Sequence, residues 1–208
     1  MSRPLPRHAR HVDTGPAGGV EGNARLTAAL GALLIVILFV EGVTILQVGS
    51  LLTLHVFVGM LVLPVVVAKM GATSWRFVKY YWGSPAYRRK GPPPPLLRLL
   101  GPFVVILTVA VLATGVLLVV GAPASLHPQL LQLHQLTFVL WFGATAIHVL
   151  GHLVETAKIA PLDWVRRTRR DVSGATLRRW LEAGSVLLGV IVALWITPYA
   201  SHWQFFGH

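Results

Sequence analysis

The segment from Leu130 to Leu153, LLQLHQLTFVLWFGATAIHVLGHL, limits this chain more than any other stretch. It holds no Asp, Glu, Lys or Arg. As a helix it is long enough to cross the roughly 30 Å hydrocarbon core of a bilayer. Yet it carries three histidines: His134, His148 and His152. At about 100° per residue, the step from His134 to His148 returns a helix to within roughly 40° of the same direction, and the step to His152 closes on whole turns. The three therefore share one face, with His134 and His148 about 21 Å apart along it. Hydrocarbon does not solvate imidazole, so an ionisable residue inside a span is a functional candidate. Imidazole is also a common axial ligand of haem iron.

The rest of the chain has the same membrane character. Of its 208 residues, 54% are hydrophobic and 12% charged, against about 25% charged in ordinary soluble domains. Five nearly uncharged runs predict an all-α integral membrane bundle with spans at about 26–47, 51–69, 101–121, 130–153 and 180–198. Residues 1–24, rich in Arg, Pro and Gly, read as a disordered tail. Residues 25–200 read as the bundle, and 201–208 as an aromatic tail at the outer interface. The first apolar run has no evident processing site and reads as a retained span.

The net charge of +11 raises the question of nucleic acid, and its distribution answers it. The 18 Lys and Arg fall in three groups: the N-terminal segment to Arg25, the segment Lys69 to Arg98, and the segment Lys158 to Arg179. The connections near 47–50 and 122–129 and the C-terminal tail have none. This alternation follows the positive-inside rule for five spans with the N-terminus cytoplasmic and the C-terminus outside. The charge is topological, and no nucleic-acid partner is expected; membrane lipid is. Trp75, Phe77, Tyr80, Tyr81 and Trp82, interleaved with Arg76 and Lys79, suit the headgroup layer.

There is no cysteine, which excludes disulfides, thiolate metal sites and covalently attached haem as products of this chain alone. Glu41 stands near the outer end of span one. Its readings are a hydrogen bond to a neighbouring helix, an interfacial position or a proton relay. Span two carries His55, with Gly59 one turn further on the same face, where a missing side chain lets a flat macrocycle approach or simply lets helices pack. Pro64 predicts a kink in its lower half. Glu182, at the start of span five, is paired with Arg178 and Arg179 in this reading. Hydrolytic catalysis has no support in the residue pattern.

Topology decides which histidines can meet. Spans two and four both enter from the outside, with His55 and His134 each about five residues in. Two imidazoles at one depth on neighbouring helices are what a six-coordinate haem needs. His148 and His152 lie on adjacent turns of one helix, so they cannot take opposite sides of one haem. A shared metal ion, a single ligand to a second haem, and a packing role all remain open for them.

Span two with His55, and span four with His134 and His148 spaced by fourteen residues, resemble the bacterial di-haem cytochrome b superfamily. That group includes the membrane subunits of respiratory formate dehydrogenases and hydrogenases and related small b-type cytochromes. The resemblance covers roughly residues 26–153. It implies stacked haems b between helices and electron exchange between quinone and a partner redox protein, in a bacterial-type inner membrane. His55 and His134 match the axial ligands of the outer haem, and His148 matches one ligand of the inner haem. Where a partner for His148 would stand, fourteen residues after His55, this chain has Lys69. The expectation is an electron-transfer subunit of an oxidoreductase rather than a stand-alone enzyme. The alternative is a non-haem membrane assembly subunit, or a small transporter using His148 and His152 as a metal or proton site. No internal repeat supports a transporter.

Overall fold

The computed structural model describes residues 18–91 and 95–200. The expected tail up to residue 17 and the aromatic tail 201–208 lie outside these, as do His8, His11, His202 and His208. Six α-helices follow one another: α1 (Gly19–Leu46), α2 (Val48–Tyr81), α3 (Pro85–Lys90), α4 (Pro95–Val120), α5 (His127–Ile159) and α6 (Ala175–Ile196). Short 3₁₀ turns precede α5 and join it to α6, and no strand occurs among the described residues. All but α3 belong to the five segments long and apolar enough to cross a membrane. The chain is therefore an all-α, multi-pass membrane bundle.

The helices outrun the spans read from hydropathy. Residues 19–24, expected to belong to the tail, are the first turns of α1. Helix α2 continues from the end of the apolar run through Trp75 and Phe77 to Tyr81, and α5 runs on to Ile159. At about 1.5 Å per residue, α2 is about 50 Å long, well beyond the hydrocarbon thickness. Hydropathy marks where lipid chains lie, whereas the backbone ladder stops only where capping or glycine ends it. Glycine does so after α2, where Gly83 adopts a φ of 90°, and Gly18 and Gly174, with φ of 79° and 78°, stand at the N-caps where α1 and α6 begin. Pro64 does not break α2; the non-helical backbone lies at Leu51 (φ −109°, ψ 18°), just after the tight turn from α1.

Successive spans run antiparallel, and α2 is the central helix, packing against α1, α6 and α4. Leu30 and Leu34 of α1 interlock with Val62, Val65 and Val66 of α2. Val56 and Met60 pack against Ala193 of α6. Helix α6 reaches the backbone of α2 because residue 189 is glycine: a Cβ there would lie 2.5 Å from the Leu61 carbonyl oxygen. Helices α4 and α5 form a second pair, and α5 also touches α1. Large apolar side chains face outward, among them Phe103, Ile106, Val139, Phe142 and Leu150. In a bilayer such faces meet lipid chains without penalty.

One end of the bundle gathers the starts of α1, α4 and α6 and the ends of α2 and α5. All the described Lys and Arg lie towards it. There Asp163 is buried and takes Arg25 Nη1 at 3.1 Å and Arg178 Nη2 at 2.8 Å, with Arg178 Nε also in contact. Arg25 further donates to the Thr168 carbonyl at 2.9 Å, and Arg178 to that of Ser173 at 2.6 Å. One carboxylate thus ties α1, the end of α5 and the start of α6. Glu182 accepts from Trp164 Nε1 at 2.9 Å, and Arg179 lies over the Trp164 ring.

Candidate functional site

The site is at the opposite end. His55 is on the second turn of α2 and His134 on the second turn of α5, so equal entry depth brings the two rings to one level. Their centroids are 6.4 Å apart and their planes are inclined by 77°. The ring pair predicted from sequence is therefore assembled.

Each ring is held at Nδ1 by a residue of another helix. Glu41 Oε1 of α1 lies 3.0 Å from His55 Nδ1, and the buried Thr44 hydroxyl lies 3.2 Å from the same nitrogen. Thr44 donates its own proton to the Glu41 carbonyl, 2.6 Å away. A carboxylate can only accept, so this surrounding assigns the His55 proton to Nδ1. On the other side, Thr114 Oγ1 of α4 lies 3.0 Å from His134 Nδ1. The single hydroxyl proton of Thr114 has carbonyl acceptors at Ala110 and Val111, 2.8 and 3.0 Å away. Its lone pairs are then left to accept from the ring, so His134 also carries its proton on Nδ1. In its neutral form each ring then has its lone pair on Nε2, the form in which imidazole binds a metal.

Space surrounds the pair. Two adjoining clefts, both walled by His55 and His134, open between α1, α2, α4 and α5. The walls are mostly aliphatic, with Phe138 and Trp141 added. Trp141 is oriented by a 2.8 Å bond from its Nε1 to Thr108. Gly59 lies in the wall as the sequence placed it, but what its missing side chain admits is Glu41: a Cβ there would be 3.3 Å from Oε1. Gly115 serves His134 in the same way, a Cβ standing 3.2 Å from Cε1. Glycine on α4 opposite a histidine on α5 is thus a matter of room for the ring.

Neither the chain nor its fold finds a match: no family model, no curated protein and no solved structure is similar to it.

The other two span histidines have different surroundings. His148 and His152 lie on adjacent turns of α5, with ring centroids 4.9 Å apart. His148 Nδ1 is buried without a hydrogen-bond partner, and His152 Nδ1 is 3.8 Å from Glu155 of its own helix. Across from them, Lys69 reaches over to α1, where its Nζ donates to the Thr27 carbonyl at 3.0 Å and lies against Gly31. Among the described residues no group of three or more His, Cys, Asp or Glu gathers to hold a metal ion. A metal held by His148 and His152 would have to complete its shell elsewhere.

Sequence reasoning found both rings and their shared depth. It singled out Glu41, and the contact across to α2 is the neighbouring-helix role among its readings. It missed Thr114, because a threonine in an apolar helix bonding back to its own carbonyls is ordinary.

Proposed function

We propose that this protein is a haem b-binding membrane cytochrome, with one haem held between α2 and α5 by His55 and His134. The observation that carries the reading is the spacing of the rings together with their tautomers. With metal–nitrogen bonds of about 2.0–2.1 Å and a ring centre about 1.2 Å behind each nitrogen, imidazoles on opposite sides of one metal have centres about 6–6.5 Å apart. The 6.4 Å found here lies in that range. The residues also fit a macrocycle in kind: a largely apolar cleft with an aromatic side at Phe138 and Trp141. A haem, when bound, supplies one-electron chemistry. The chain supplies the rest. Glu41 and Thr114 fix the two rings, the aliphatic walls exclude water, and the bundle keeps His55 and His134 at one depth.

On this reading the protein is an electron-transfer subunit exchanging electrons between quinone and a partner redox protein, as the resemblance to the di-haem cytochromes b implies. The concentration of Lys and Arg at one end supports a cytoplasmic N-terminus. The histidine site then lies toward the outer face of a bacterial-type inner membrane. One haem, not two, is proposed, because the described residues near His148 offer Lys69 where an opposing imidazole would be needed.

The test is a reduced-minus-oxidised absorbance spectrum of the protein purified in mild detergent, with haem counted per chain. Sharp b-type α and Soret bands and a ratio near one are expected. A colourless, well-folded preparation after haem supplementation would leave the assembly or transport reading in its place.

A further inference from the structure

The two rings are held by unlike partners. His134 Nδ1 meets a neutral hydroxyl, Thr114. His55 Nδ1 meets a carboxylate oxygen of Glu41 at 3.0 Å, in a wall that is otherwise almost wholly apolar. Glu41 is positioned from three sides. Thr44 Oγ1 bonds its backbone carbonyl and lies 3.2 Å from Oε2. Gly59 leaves the space that its Oε1 fills. The short turn at Gln47 brings the end of α1 against the start of α2. Within this cleft no Lys or Arg side chain stands against the carboxylate. Placing a carboxylate with no Lys or Arg beside it in an apolar wall is costly, and here it is directed at one ring nitrogen.

Resting on the haem reading above, we propose that Glu41 is a positioning residue that sets the electron affinity of the site through His55. A ligating imidazole whose other nitrogen meets a carboxylate has a fixed tautomer and a raised basicity. A more basic ligand, with a fixed negative charge behind it, favours ferric over ferrous iron. The site is therefore poised on the low-potential side of what a bis-imidazole pair held by neutral partners would give. His134, held by a hydroxyl, contributes orientation without that bias.

The experiment measures midpoint potential and haem affinity in Glu41→Gln and Glu41→Asp, with Thr114→Val for comparison, all in the full chain in detergent. Glu41→Gln keeps the shape and removes the charge. It is expected to cost about tenfold in preference for the ferric form, an upward shift of about 59 mV for one electron. It is also expected to cost about 10-fold or more in haem affinity. Glu41→Asp, which keeps the charge, should recover most of the wild-type potential, and Thr114→Val should move it less than Glu41→Gln does. A b-type spectrum in Glu41→Gln with wild-type potential overturns the proposal while leaving the haem reading intact. If Glu41→Gln binds no haem, retention by Glu41→Asp supports the charge, and loss from both overturns it. A wild-type protein without haem fails the preceding reading instead.

Discussion

Helix α5 presents histidine at both ends of the membrane, and the two ends are built differently. At one, His134 meets His55 from a second helix, and each Nδ1 is held by a third or fourth: Glu41 of α1 and Thr114 of α4. At the other, His148 and His152 share one helix, His148 Nδ1 has no partner, and Lys69 of α2 is turned to the backbone of α1. An imidazole becomes a usable ligand when its far nitrogen is fixed and an opposing group stands across a space. The first end has all three elements. The second spends its polar groups on structure, chiefly the Asp163 contacts with Arg25 and Arg178.

Removing either ring at the first end should have the largest effect. His55→Ala and His134→Ala are each expected to abolish the b-type absorbance, since one remaining imidazole and an apolar cleft hold haem weakly. Haem content per folded chain after size-exclusion chromatography reads this directly. Retention of a full complement by either variant breaks the comparison at its stronger side.

Asp163→Ala tests the second end as a structural one. Removing the carboxylate leaves two buried guanidinium groups facing each other, and breaking such a buried pair costs about 3–5 kcal/mol. A clear fall in the thermal unfolding midpoint in detergent is expected, with the spectrum of the remaining folded protein unchanged. A changed spectrum would mean that the two ends are coupled.

Gly115→Val comes next. A Cβ at this position already stands 3.2 Å from His134 Cε1, and the further methyls of valine push the ring from its place beside Thr114. Haem occupancy at limiting haem should fall several-fold rather than vanish, because α5 can give by a few tenths of an ångström. Occupancy equal to wild type would show that His134 does not need the position seen here.

The fold was legible because lipid imposes one rule on every residue. Long uncharged runs must be helices that satisfy their own backbone, and this fixed the number of spans while leaving their ends open. The helix ends lie beyond that rule where α2 carries Trp75, Arg76 and Lys79 onward, since helix propensity continues past the point where hydropathy stops. His55 and His134 were legible because depth follows from topology. Their partners were not equally so. Glu41 stood out as a lone acid among apolar residues, but Thr114 resembles any threonine in a span. Asp163 lies far in sequence from Arg25, and no periodicity links them. Glu182 lies within electrostatic reach of Arg178 and Arg179, as its place in the sequence predicts, but the hydrogen bond that it accepts comes from Trp164, and Arg178 donates to Asp163.

The smallest effect is the most discriminating. His148→Ala is expected to leave haem content and midpoint potential as they are in wild type. The substitution deletes a buried nitrogen that has no hydrogen-bond partner, so little is lost in removing it. His148 is about 21 Å from His134 along the helix, too far to touch the first site. Loss of half the haem would instead mean that His148 binds a second one despite Lys69, and the two ends would then be alike in function though not in construction. An unchanged spectrum, with full occupancy at one haem per chain, keeps ligation at the His55 end and leaves Lys69 a structural cation engaged with the Thr27 carbonyl.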